Sequence, residues 1–170
     1  MADPPLPCLG LFDTVEYTVL VIPTPLETKL HEAILKSSYV QDITNGFGGA
    51  QQLSILTLLR KLCNTPGLLL KARQENKQLQ ILTDKVMALF PPCTDPNGFE
   101  LSGKMMLLGA LLARLHRGGS KGARDDEDDE DDGGPRGREK IVVVSNFTST
   151  LDVVEAHCAR KGYTYCRLDG

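Results

Sequence analysis

Eight consecutive acidic residues, Asp125 to Asp132, interrupt this chain of 170 residues and constrain its fold more than any other feature. They lie inside Gly118 to Gly137, a low-complexity stretch that is Gly-rich at both ends. Like charges at this density repel, and the stretch has too little apolar surface to offset the entropy of ordering. We therefore expect a disordered acidic linker over 118–138, with a folded piece on each side. The run also masks the charge of the rest: setting its eight acids aside turns the net charge from −3 to +5. The remainder is mildly basic, which permits a polyanionic partner without demanding one.

The piece before the linker reads as helical. Residues 1–14 are Pro-rich and expected to be irregular. Tyr17-Thr-Val-Leu-Val-Ile22 has the β-branched content of a strand. Thr24-Pro25-Leu26-Glu27 then starts a helix: Thr24 can cap, Pro25 suits the first helical position, and Glu27 can close a capping box. Gly46 to Gly49 reads as a flexible loop. The next helix, Ala50 to Cys63, carries Ile55, Leu58, Leu59 and Leu62 on one stripe, and Asn64-Thr65-Pro66-Gly67 ends it. A third, more polar helix is expected from Gln74 to Leu89. After a Pro-rich loop, Ser102 caps a fourth, whose Met105, Leu108, Leu111, Leu112 and Leu115 repeat at helical spacing.

The piece after the linker changes period. Lys140-Ile-Val-Val-Val-Ser145 reads as a buried strand, Asn146 to Glu155 opens a helix with Ser149 and Asp152 placed for a second capping box, and Tyr163 to Gly170 reads as a second strand. So short a crossover makes the strands parallel with a right-handed connection. The fold class is thus α/β: a mainly helical block over 15–117, then over 139–170 the first β-α-β unit of a parallel-sheet lobe. The sequence stops where that lobe has only begun, so it reads as a fragment.

Several chemistries find no support. Five cysteines (Cys8, Cys63, Cys93, Cys158, Cys166) contain no C-x-x-C pair, which argues against a disulfide framework or a zinc site. Met1-Ala-Asp-Pro-Pro lacks the features of a signal peptide, and no apolar run approaches the ~20 residues of a membrane helix. An intracellular, soluble chain is expected, with no membrane partner. Gly98 to Lys104 fits G-x-x-x-x-G-K, but Met105 stands where a phosphate-binding loop needs Ser or Thr, and no strand precedes it. No catalytic triad, paired-carboxylate site or metal cluster stands out, so no catalytic or metal-ligating residue is assigned.

Four segments, in order, resemble the SWI/SNF-type ATPases, DNA translocases of helicase superfamily two. Leu58-Leu-Arg-Lys-Leu-Cys-Asn-Thr-Pro-Gly-Leu-Leu69 resembles that family's leucine-rich helix ending in Cys-Asn-His-Pro, with Thr65 where the His is common. Leu101-Ser-Gly-Lys-Met-Met-Leu-Leu108 resembles its Ser-Gly-Lys helix. Lys140 to Asp152 looks like helicase motif IV, and Tyr165 to Gly170 like the segment after it. Leu89-Phe-Pro-Pro92 and Ser145-Asn-Phe-Thr148 point to the recombination-repair, Rad-fifty-four-like branch. The acidic linker looks like an insertion between the second and third segments.

The resemblance implies a role for each piece. Residues 15–117 would be the helical insertion between two RecA-like lobes, and 139–170 the truncated start of the second. The parent would be a nuclear, ATP-dependent double-stranded-DNA translocase of homologous-recombination repair, with a recombinase filament or chromatin as further partners. Its cofactors would be ATP and Mg²⁺. The Walker A loop, the Walker B acids and the arginine finger that phosphoryl transfer requires are not in this sequence, so the chain alone should bind no ATP and be inactive. Loops at the carboxyl ends of parallel strands face the cleft. The DNA-binding candidates are therefore Ser145, Asn146, Thr148, Arg167, Asp169 and Gly170; the hydroxyl and amide side chains among them, with a helix N-terminus, suit phosphate oxygens. The alternative is a non-enzymatic truncated product or interaction module whose acidic linker docks a basic partner.

Overall fold

Thr24 begins the first helix as its sequence context requires. Its hydroxyl accepts from Glu27 N at 3.2 Å, while the Glu27 carboxylate accepts from Thr24 N at 2.7 Å, so the capping box is closed and Pro25 occupies the first turn. The computed structural model describes residues 15–46, 49–75, 81–118 and 140–169. Among these it has seven α-helices: α1 (Pro25–Leu35), α2 (Ser38–Asn45), α3 (Gly49–Asn64), α4 (Gly67–Glu75), α5 (Asp84–Met87), α6 (Gly103–Gly118) and α7 (Thr148–Lys161). A 3₁₀ turn, Phe99–Leu101, leads into α6. The protein is mainly helical, as the sequence of its first piece implies. The N-terminal segment, most of the linker and Gly170 lie outside the described residues, as do Phe47 and Gly48 of the expected Gly46–Gly49 loop.

Two apolar cores organise the helices. In the first, Leu30 and Ile34 of α1 meet Ile55, Leu58 and Leu62 of α3, with Leu69 of α4 and Val86 of α5. Each fully buried aliphatic side chain contributes roughly 2 kcal/mol. The helix expected from Gln74 to Leu89 falls partly outside the described residues, at 76–80. Among the described ones it is not continuous, since α4 ends at Glu75, residues 81–83 are a bend, and Thr83 starts the short α5 by accepting from Val86 N at 3.4 Å. Ile81 and Leu82 are both buried in the first core, at 2 % and 0 % exposure, and Thr83 takes the extended backbone of an N-cap, which interrupts the helix just before Asp84.

The second core joins α7 to the helical block. Val153, Val154 and Cys158 pack against Leu68, Phe99 and Met105. The His157 ring lies flat on Phe99, centroids 3.8 Å apart and planes 8° from parallel, and Tyr163 meets it edge-on at 6.5 Å. Tyr163 in turn stacks on His116 of α6 at 4.6 Å. α7 ends at Gly162, whose φ of 69° is left-handed and costs glycine little.

Burial, with lesser help from Lys161 and Arg160, pushes the His157 pKa below its ordinary 6.5, and its Nε2 has no hydrogen-bond partner. As pH falls, the unfolded chain therefore takes up this proton before the folded one does. The contribution is complete above about 6.5 and is lost below it. We expect the urea midpoint to fall between pH 7.5 and pH 5.5, and His157→Phe to remove most of that difference. An equal pH dependence in His157→Phe would show that another group is responsible.

No strand ladder is formed among the described residues. The segment 15–22 and the two segments that flank α7 are non-helical, and most of their apolar side chains face solvent: Leu20 is 94 % exposed, Val142 83 % and Val144 84 %. The strand expected to be buried at Lys140 to Ser145 is not shown: the segment forms no ladder among the described residues and is largely exposed. A strand draws both its hydrogen bonds and its burial from neighbours, and none of the described residues supplies one here.

Candidate nucleic-acid interface

Asn64, the last residue of α3, reaches two other helices. Its backbone carbonyl accepts from Ser102 Oγ at 2.9 Å, its Oδ1 from Lys104 Nζ at 3.1 Å, and its Nδ2 donates to Thr150 Oγ1 at 3.2 Å. Ser102 and Thr150 are both buried, so these bonds satisfy groups that water cannot reach. At the start of α6 the Glu27 carboxylate accepts from Gly103 N at 3.3 Å, while Thr24 Oγ1 donates to Leu101 O at 3.0 Å. One capping box therefore serves the starts of two helices. The sequence reading treated Asn64 as a helix terminator and missed this hub; the only available signal was that an amide can both donate and accept.

Three of the candidate residues lie where α7 begins. Ser145 Oγ accepts from Phe147 N at 3.2 Å, which turns the chain into the helix. Asn146 and Thr148 are exposed. The second capping box is not formed: α7 starts at Thr148 with Phe147 as its N-cap and no side-chain cap, which puts Ser149 inside the helix. The first turn also holds no acid. Its orphan N–H groups and the positive end of its dipole are therefore open.

Arg167 and Asp169 lie along the side of α7, and Gly170 is outside the described residues. The Arg167 guanidinium pairs with Asp152 at 2.8 Å, Glu155 at 2.6 Å and Asp169 at 2.7 Å. Hydrogen bonds to Asp169, Asp152 and Glu155 push its pKa further up, and Arg167 holds the Asp169 carboxyl below the usual range. Arg167, then Tyr165, lowers Glu155 in the same way. Three carboxylates surround one cation, so the local charge is negative and Arg167 acts first as a strap between 163–169 and α7. A comparable pair, Arg160 to Asp95 at 2.9 Å with a second bond to Asn97 O, ties α7 to the loop before the 3₁₀ turn.

The G-x-x-x-x-G-K stretch does not fit a nucleotide. Phe99, Leu101 and Ser102 within it are buried, and Lys104 binds Asn64. The Gly98, Leu101, Ser102 and Gly103 N–H groups are bonded within the protein, so no ATP chemistry is derived from this stretch. Among the described residues no group of three or more His, Cys, Asp or Glu could hold a metal ion, and no helix is long and apolar enough to cross a membrane.

The chain is 32 % identical over 159 residues to the human DNA repair and recombination protein RAD54-like, covering 92 % of this chain and 18 % of that protein. It is 32 % identical over 168 residues to human RAD54B, covering 92 % of this chain and 16 % of the relative. To RAD54 of Saccharomyces cerevisiae it is 30 % identical over 169 residues, covering 97 % and 16 %. No family model matches the chain, and no solved structure matches it. Its class is that of the SWI/SNF-type helicase-like proteins. Within that class the chain is a Rad54-like relative, and it spans less than a fifth of the length of the curated proteins it matches.

Proposed function

We propose that this chain forms part of an ATP-dependent double-stranded-DNA translocase acting in homologous-recombination repair in the nucleus. The observation that carries the reading is similarity over nine-tenths of the chain to proteins named for DNA repair and recombination. In this reading α1 to α6 are the helical insertion between two RecA-like lobes. Residues 140–169 open the second lobe, and their exposed apolar segments become strands when a sheet supplies neighbours. The exposure of Val142, Val144 and Leu168 on either side of α7 supports that assignment. ATP and Mg²⁺ would be held elsewhere in the parent, and the parent's further partners would be a recombinase filament or chromatin. Ser145, Asn146 and Thr148 would position duplex phosphates, while Arg167, Asp169 and Gly170 would shape the adjoining edge.

The test is a chimera in which residues 15–169 replace the matched stretch of yeast RAD54. Recombination and survival of DNA breakage should be largely retained in cells that lack the native protein. A folded, expressed chimera with no recombination activity would overturn the reading. The isolated chain should release no phosphate from ATP, with or without DNA. DNA-stimulated release that disappears on mutating Lys104 would instead restore the phosphate-loop reading.

A further inference from the structure

We propose that the corner where α3 ends, α6 begins and α7 starts is a contact for the phosphate backbone of duplex DNA. Lys104 and Arg60 would be its cations. The inference rests on the reading above and adds to it a contact within the helical block, separate from the loop at 145–148.

Charge is segregated in this protein. Neither α3 nor α6, each 16 residues long, contains a single Asp or Glu. The fold brings the C-terminal end of α3, which carries Arg60 and Lys61, to the start of α6, where Lys104 Nζ meets Asn64 at 3.1 Å. Arg60 is one turn before Asn64 on the same face of α3 and is exposed. Among the described residues neither Arg60 nor Lys104 is in an ion pair, whereas Lys36, Arg73, Arg160 and Arg167 all are. Glu27 touches the corner from beneath, at Gly103 N, but it is buried and shared between two amide donors.

The third side of the corner is α7. Asn64 Nδ2 reaches Thr150 in its first turn, and that turn is uncapped and free of acids. Lys104 and the first turn of α7 are thus both bonded to Asn64, and Arg60 lies one helical turn before it. A chain of phosphates spaced along a rod is the partner whose charge fits such a corner, and its contacts carry no sequence information. The plainer account is that Arg60 merely complements the negative end of the α3 dipole. A dipole role affects folding but not the salt dependence of binding, which makes the two accounts separable.

The experiment measures binding of a short labelled duplex across a salt series. It compares the wild-type chain with Lys104→Gln, Arg60→Gln and the double variant. Glutamine at 104 can still donate to Asn64, so the corner keeps its bond and loses only charge. Lys85→Gln, on α5, is the control. Each substitution in the corner should weaken binding about three- to tenfold near 0.1 M salt and flatten the log–log salt slope by about one, with Lys85→Gln unchanged. Wild-type binding with an unaltered slope in the double variant would overturn this contact and leave the repair reading intact. A loss of affinity with an unaltered slope and a lowered thermal midpoint would assign the cations to folding and overturn it too. If the wild-type chain binds no duplex at low salt, the proposal and its DNA partner both fall, while the chimera still judges the recombination role.

Discussion

Gly67→Ala is expected to destabilise the protein by about 3 kcal/mol or more, although alanine favours a helix over glycine by ~1 kcal/mol. Gly67 is the first residue of α4 and is buried. A Cβ built there would overlap the backbone carbonyl of Pro96. A flexible side chain can swing aside, but this obstacle is main chain. The loop that carries it is held by Asp95 accepting from Asn97 N at 2.9 Å and by Arg160. Relief therefore requires moving α4 or the loop, and with it the contact that anchors α7. Urea unfolding should show a lower midpoint with little change in slope. A midpoint equal to or above wild type would mean that α4 does not approach Pro96 so closely.

The second large effect is expected at Glu27. Its carboxylate, 7 % exposed, accepts from Thr24 N and Gly103 N and so sits at the positive ends of both α1 and α6. Glu27→Ala strands one buried and one half-buried donor and opens two helix starts, a loss of about 2–4 kcal/mol. Glu27→Gln keeps an acceptor oxygen and loses only the charge, so about 1 kcal/mol is expected. Equal losses in the two variants would show that the carboxylate's charge, and not its accepting geometry, supports the joint. A loss below 0.5 kcal/mol in Glu27→Ala, read from thermal or urea unfolding, would show that water replaces it.

Glu27 also shows where sequence reading reaches its limit. Thr24, Pro25 and Glu27 lie within four residues, so their capping box was legible locally. That the same carboxylate serves Gly103, 76 residues later, was not. Asn64 follows the same pattern: the Pro and Gly after it marked a helix end, but its bonds to Lys104 and Thr150 depend on how α6 and α7 lie. Arg167 was legible as a cation near a presumed cleft. Its three carboxylate partners come from α7 and from Asp169, and only packing places them together.

By itself the sequence determined the helical character of the first block, from the 3.6-residue spacing of Ile55, Leu58 and Leu62 and of Met105, Leu108 and Leu112. Ordered motifs also led from it to the Rad54-like relatives. Such features are local or read in order along the chain, so they survive without knowledge of contacts. Tertiary structure alone decided that the chain bends at Ile81 and Leu82, that α7 begins at Thr148 without a cap, and that Asn64 is a hub. It also decided that the β-branched segments at 15–22 and beside α7 stay exposed. The physical reason is the same in each case: a side chain's partner, or a strand's neighbour, is set by which distant residues arrive beside it.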